Sequence, residues 1–470
     1  MGSEPVGIER RPRSLAHAFW DRVEVAPDAP AYYYPVDGGW QESTWGQTAE
    51  LVEGLAAGLL ALGVGVEDRV AIVSTTRFEW ILSALAAWSV GAAVTSVSPG
   101  ADDDRLAHVL ADSGARVVIA EDDDEVRQLW RVRARIRDVA KVVQIDGSYP
   151  DQRVLSLDGL LRRGSEHLEE QPRATAQRRY AVRREGLAAI RYPDGSDPQS
   201  RGVRLRHSAL TYQGAALTSL GVLGENDLLH LAVPLAQTFG QTLLAVQLSG
   251  GFPAAVDGDP ERLLGSLAVV RPTFLGAPPE MLTRVRAAVS KEQSGRLQRR
   301  AMDHAYESAR RVRELEAQGT AVPPRVSRRH RSLDRRQLAP VREAFGDRLR
   351  FVVAGTASLE AGLMEFFELA GVEVLGSYGV TEAGGAVCVD LPGDHRPGTA
   401  GRPLPGTSIR ITDDGEVQVA GPGLMEGYHG RRLDTATVLR RGWLSTGDAG
   451  VLDEDGRLRI LGRRAARFAD

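Results

Sequence analysis

The sequence predicts an α/β fold with a largely parallel sheet, followed by a small β subdomain. Short apolar runs of strand length alternate with helix-patterned segments as far as residue 145. Two further strand-like runs, Leu349–Val353 and Gly371–Leu375, come after a long helical stretch. After Gly401 the texture changes to short β segments separated by glycine-rich turns. Alternation of this kind argues for parallel strands joined by crossover helices, and the later texture argues for antiparallel turns.

The elements follow in order. Leu15–Val25 has apolar residues at helical spacing and reads as an opening helix. Leu51–Leu62 is a second, Ala-rich helix closed by Gly63 and Gly65. Arg69–Ser74 (RVAIVS), Val117–Ala120 (VVIA) and Val142–Ile145 (VVQI) are compact apolar strands, and Asp103–Ser113 between them is helical. The most apolar stretch, Trp80–Val97, contains Ser83, Ser89, Gly91, Thr95 and Ser96. A membrane span needs about 20 consecutive apolar residues, so this stretch reads as a buried helix to Trp88, a glycine turn and a strand over Ala92–Val97. Residues 160–186 are rich in Arg and Glu with no evident buried face, and read as a surface linker. Residues 290–345 are basic and helix-prone, including Arg296, Arg299, Arg300, Arg310, Arg311 and the run Arg325–Arg331. They read as a solvated helical insertion, with a partner or membrane-surface contact as the alternative. Ser408–Ile411, Glu416–Val419 and Leu458–Leu461 are the strands of the final subdomain. The expected units are 1–186, 187–400 and 401–470.

Composition narrows the function. The 470 residues are 43% hydrophobic and 26% charged, which supports a packed core and excludes global disorder. A net charge of −4 gives no argument for nucleic acid or an anionic membrane as partner. Cys388 is the single cysteine, so an internal disulfide is excluded. The polar stretch Met1–Arg13 carries no export signature, and a cytoplasmic protein is expected. Lys141 and Lys291 are the only lysines. Lysine chemistry is therefore scarce, and arginine does not replace it freely.

Four segments carry chemistry when taken together: Gly376–Glu382 (GSYGVTE), Gly415–Tyr428 (GEVQVAGPGLMEGY), Gly442–Gly450 (GWLSTGDAG) and Asp455–Arg463 (DGRLRILGR). Each alone is an ordinary Gly–Asp turn. In this order and spacing they resemble the adenylate-forming superfamily, most closely the bacterial long-chain fatty acyl-CoA synthetases. Thr44-Trp45, Asp68–Ile72, Thr76–Trp80 and Arg271–Leu275 (RPTFL) support that subgroup.

The resemblance implies the large N-terminal domain of these enzymes: two stacked αβ subdomains with mostly parallel sheets and a small β-barrel-like subdomain. It implies that Thr381 bonds an adenylate phosphate and Glu382 holds Mg²⁺, a hard cation suited to a carboxylate. Tyr378 would lie against adenine, Asp448 would accept from the ribose hydroxyls, and Arg463 would reach the same nucleotide. Gly355 and Thr356 would pass beside the base, where glycine permits close approach. Gln237 stands where the family usually has histidine near the acyl carboxylate, and Gly379 would border the acyl group. AMP or ATP, Mg²⁺, an acyl substrate and CoA or a carrier thioester are the implied ligands. His207, His230, His395 and His429 show no metal-ligand spacing.

Two departures qualify the inference. The family's phosphate loop reads roughly Tyr-Thr-Ser-Gly-Thr-Thr-Gly-x-Pro-Lys-Gly. Here the aligned residues run Tyr192-Pro193-Asp194-Gly195-Ser196-Asp197-Pro198-Gln199-Ser200-Arg201-Gly202. Pro193 and Pro198 donate no N–H, and Asp194 and Asp197 bring negative charge toward a polyphosphate. Ser196 keeps one hydroxyl and Arg201 keeps a positive charge. Second, the sequence stops at Asp470, with Ala465-Ala466 at the hinge position, so no C-terminal lid domain is expected. The function therefore stays open among an impaired fatty-acid-activating ligase, a pseudoenzyme that binds an acyl or adenylate ligand or a pathway partner, and a repurposed acyl-transfer or cyclising enzyme using Asp194 or Asp197.

Overall fold

The computed structural model describes residues 6–193, 199–292, 296–355 and 360–464. Asp194, Ser196, Asp197, Thr356, Ala465 and Ala466 lie outside them. Local chemistry sets the first helices. Ser14 Oγ accepts from the His17 amide and opens the helix Leu15–Val25. Thr44 and Gln47 form a reciprocal capping box, which starts the second helix at Trp45 rather than Leu51 and carries it to Ala61. Asp102 caps Asp103–Ser113, and Gly114, with φ +63°, closes it.

Among the described residues the strands form three sheets. The first runs in the order Gly427–Tyr428, Val203–Arg206, Leu187–Arg191, Ala93–Val97, Arg69–Val73, Ala115–Ala120, Lys141–Gln144, Val154–Ser156. It is parallel from Leu187–Arg191 to Val154–Ser156 and antiparallel at its other end. The second runs Arg402–Pro403, Gly385–Val389, Val374–Val380, Phe351–Ala354, Phe274–Ala277, Leu229–Leu231, Ala254–Val256, Pro30–Val36, Gly39–Thr44. Its six interior strands are parallel and its flanks antiparallel. The third is a small antiparallel sheet of Ser408–Ile411, Glu416–Ala420, Trp443–Leu452, Leu439–Arg440 and Leu458–Arg463. One apolar core joins residues of all three sheets. The helix Phe78–Ser89 is buried along its length, and Trp88 Nε1 donates to the Ala188 carbonyl at 2.9 Å. No helix among the described residues is long and apolar enough to cross a membrane.

The structure also revises the readings of two charged stretches. Residues 160–186, expected as a linker, lie mostly in the helices Leu157–Glu170 and Ala174–Ala181. The first of these presents Gly159, Leu160 and Gly164 to the core. A pattern of apolar side chains does not register a face made largely of glycine. A Cβ on Gly164 would meet the Gly54 carbonyl oxygen at 2.0 Å, so the helix Trp45–Ala61 touches it backbone to backbone. The basic stretch is likewise more than solvated. Its helices Arg296–Ala317 and Ala339–Glu343 bury Ala305, Ala309, Leu315 and Val341, and Leu338 between them is also buried. Arg310 pairs with Glu365 at 2.7 Å on the outer side.

Gly164→Ala should lower unfolding free energy by about 1–3 kcal/mol, because backbone cannot move aside. Gly265→Ala is the control: it lies in the helix Leu263–Val270 with nothing within 4 Å of the added Cβ, and should be neutral or gain up to about 1 kcal/mol. Urea unfolding of both variants checks the contrast.

Candidate active site

Four parallel strands of the second sheet, Leu229–Leu231, Phe274–Ala277, Phe351–Ala354 and Val374–Val380, end on the same side. In open α/β sheets ligands bind outside the carboxyl ends of such strands. Here Pro234, Pro278, Gly355 and Tyr378–Glu382, at or just beyond those ends, line one cavity of about 970 Å³. Tyr192, Pro193 and Ser200 close it from the first sheet. The cavity is of mixed character. Its lining includes polar and charged side chains, Tyr378, Thr381, Glu382 and Arg463, and apolar ones, Leu217, Leu220, Leu223, Leu243, Val246, Phe274 and Phe351.

The polar side chains are held in hydrogen-bonded pairs. The Tyr378 hydroxyl donates to Asp448 Oδ2 at 2.7 Å, and Arg463 Nη1 donates to Asp448 Oδ1 at 3.0 Å. The strand pairing of Trp443–Leu452 with Leu458–Arg463 sets Asp448 opposite Arg463. Burial, then the Asp448 carboxylate, pushes the Tyr378 phenol up, so it stays protonated and donates. The Thr381 and Thr238 hydroxyls share a hydrogen bond of 3.0 Å. Glu382 Oε1 accepts from the Tyr428 hydroxyl at 2.9 Å. Burial, then Glu382, raises the Tyr428 phenol as well.

The structure thus brings Tyr378, Gly379, Thr381, Glu382, Gln237, Gly355 and Arg463 to one cavity wall, with Asp448 directly behind. Gln237 caps the helix Thr238–Gly250 and makes no side-chain cap bond. Gly355 is explained by a side chain: a Cβ there would meet the Phe239 ring at 2.8 Å. A Cβ on Gly379 would meet the Gly385 carbonyl oxygen at 2.2 Å, so the antiparallel turn needs glycine there. Arg201 points to Asp434, with Nε–Oδ2 2.9 Å, and stands over the Tyr428 ring at 5.3 Å. Ser196 and Thr356 lie outside the described residues.

The motif reading missed several contributors. Tyr428 ended a quoted motif without a role, and Asp434, Thr238 and Phe239 carried no signal beyond an ordinary turn or helix. Arg105 also escaped notice. From the helix Asp103–Ser113 it donates to the carbonyls of Tyr192 and Pro193 at 3.0 and 3.1 Å, and also to the Ser200 hydroxyl. His108 Nε2 donates to the Ser200 carbonyl at 3.0 Å. Both described shoulders of the altered loop are therefore held by one helix.

No group of three or more His, Cys, Asp or Glu among the described residues could hold a metal. Mg²⁺ is often bound by one or two carboxylates with substrate phosphates and water. Glu382, with Oε1 engaged by Tyr428, fits that mode and no all-protein cage.

Tyr428→Phe removes the donor to Glu382 and should cost about 1 kcal/mol of unfolding free energy, since water can reach the half-buried carboxylate in part. An unchanged urea midpoint would show that the bond contributes nothing.

A family model described as AMP-binding enzyme matches residues 19–429. The long-chain-fatty-acid–CoA ligase FadD15 of Mycobacterium bovis is 31% identical over 454 residues, covering 96% of this chain and 74% of that protein. The human long-chain-fatty-acid–CoA ligase 1 is 24% identical over 479 residues, covering 97% of this chain and 67% of that protein. Among solved structures, the anthranilate CoA ligase AuaEII in complex with anthranoyl-AMP superposes with a TM-score of 0.76 at 19% identity, covering 97% of this chain and 79% of that one.

Proposed function

The chain belongs to the AMP-binding enzyme family and is acyl-CoA synthetase-like; from that premise we propose that it binds a fatty acyl-adenylate and activates acids with ATP only slowly. The observation that carries the reading is one cavity of about 970 Å³ lined by both polar and apolar side chains. A long acyl chain suits the wall of Leu217, Leu220, Leu243 and Phe351, because each buried CH₂ contributes about 0.8 kcal/mol. The adenosine belongs against Tyr378, with Asp448 offering remaining lone pairs to ribose hydroxyls. Thr381, oriented by Thr238, presents its hydroxyl toward the phosphate. Glu382 would carry Mg²⁺, which neutralises phosphate charge when bound.

Two features argue that the polyphosphate is poorly served. The aligned loop carries Asp194 and Asp197 and no lysine; a like-charge pair at 4 Å costs about 4 kcal/mol at an effective dielectric near 20. The one loop cation, Arg201, is engaged with Asp434. Losing a charge-stabilising donor typically slows such a reaction by about 10²–10³. CoA, or a carrier thioester, is the acyl acceptor in this reading.

Calorimetry with AMP, ATP with Mg²⁺ and an acyl-sulfamoyl adenosine tests binding, and pyrophosphate release with a fatty-acid panel tests turnover. The acyl-sulfamoyl compound should bind at least about tenfold tighter than AMP, ATP should bind no tighter than AMP, and pyrophosphate release should be slow. A compound that does not bind removes the acyl-adenylate reading. Rapid pyrophosphate release removes the impairment. Among the apolar lining residues, Leu243→Trp should weaken long-chain compounds by about tenfold or more and spare AMP; equal loss of both would place the acyl chain elsewhere.

A further inference from the structure

Arg191 ends the strand Leu187–Arg191, one residue before the altered loop segment. It is 4% exposed. Its Nε donates to Gln241 Oε1 at 2.9 Å and its Nη1 to the Gly384 carbonyl at 3.1 Å. Both partners are neutral, and no carboxylate among the described residues pairs with it. The contrast with neighbouring arginines is sharp. Arg201 pairs with Asp434 and Arg463 with Asp448. Arg457, also fully buried, is held by both Asp390 and Asp394. A buried charge without a counter-ion is costly, and of the two arginines that are buried among the described residues only Arg457 has one.

The partners locate the guanidinium. Gly384 directly follows the turn that carries Thr381 and Glu382. Gln241 lies one turn into the helix Thr238–Gly250, whose cap Gln237 and residues Thr238 and Thr242 line the cavity. Tyr192, the next residue in the chain, lines it too. Arg191 therefore stands behind the wall made by Tyr192, Thr238 and Thr381. The amino end of the same helix faces that wall and adds a field of the same sign. Glu382 is the acidic side chain of this wall, and it accepts from the Tyr428 hydroxyl. Burial pushes the guanidinium down to about 9, so it remains cationic at neutral pH.

We propose that Arg191 is the counter-cation for an anionic ligand group at the polar side chains of the cavity, either the phosphate of an adenylate or the carboxylate of an acyl acid. The proposal rests on the acyl-adenylate reading above and adds the residue that takes over from the missing loop lysine. Arg191 acts through its field across the wall, as a positioning and charge-compensating residue.

The experiment compares each anion with a neutral counterpart: AMP with adenosine, and dodecanoate with dodecanol, on wild type, Arg191→Met, Arg191→Gln and Arg191→Lys. Expected is a fall of at least tenfold in the AMP-to-adenosine affinity ratio, or in the dodecanoate-to-dodecanol ratio, in the Met and Gln variants. The neutral ligands should change less than threefold, and Lys should restore most of the ratio. A fall in the first ratio assigns the phosphate, and in the second the carboxylate. Ratios that do not move, or neutral ligands lost in step with the anions, overturn the proposal and leave Arg191 as a hydrogen-bonding staple. Wild type that binds none of the four overturns the acyl-adenylate reading and this proposal with it, whereas binding with unmoved ratios overturns this proposal alone. Arg191→Gln retains an amide donor for Gly384 and keeps the comparison available if the Met variant does not fold.

Discussion

The reversal of the chain at Thr381–Gly384 is where the sheets are tied to each other. The strand Val374–Val380 arrives parallel to its neighbour and leaves as the antiparallel strand Gly385–Val389. Within that turn Thr381 meets Thr238, Glu382 meets Tyr428, the Ala383 carbonyl accepts from Gln213 at 3.1 Å, and the Gly384 carbonyl accepts from Arg191. The Met425 amide donates to the Glu382 carbonyl at 2.8 Å. Gly384 adopts φ +74°, a left-handed conformation that favours glycine. Buried backbone groups must find partners, and here the partners come from the first sheet, the helices behind the second and the segment that runs from the third sheet to Gly427–Tyr428. Moving this turn would disturb the cavity wall and the packing between sheets together.

The arginines are anchored in two ways. Arg457 sits between Asp390 and Asp394 and Arg342 pairs with Asp334, whereas Arg22 and Arg69 donate to backbone carbonyls. Arg201 pairs with Asp434 and stands over the Tyr428 ring. The cation of the aligned loop is thereby held in a partly exposed ion pair. The cavity is lined by the Glu382 carboxylate, the Tyr378 phenol, the Thr381 hydroxyl and the Arg463 guanidinium, and Arg191 is buried behind it. Apolar side chains, among them Leu217, Leu220 and Phe351, line the same cavity.

Much of the fold was legible because its signals are local. The boundaries of Leu15–Val25 and Asp103–Ser113 match the periodicity, since each begins at a capping side chain. The strands Arg69–Val73 and Ser408–Ile411 stand out as short apolar or alternating runs. The helix Leu157–Glu170 was hidden because its buried face is partly glycine, and glycine contributes closeness rather than hydrophobicity. Of the candidate site, motif order singled out Tyr378, Thr381, Glu382, Asp448 and Arg463, which lie at or directly behind one cavity. Tyr428, Asp434, Arg105 and Arg191 were not, since each acts on a group distant in sequence.

The sequence by itself determined the family, the parallel α/β architecture and the small β subdomain, because residue type, short-range spacing and motif order carry those. Tertiary structure decided which charges form ion pairs, as Arg201 does with Asp434, and which are buried without a carboxylate, as Arg191 is. That outcome depends on distances across three sheets and on burial, and neither is encoded in any local run of residues.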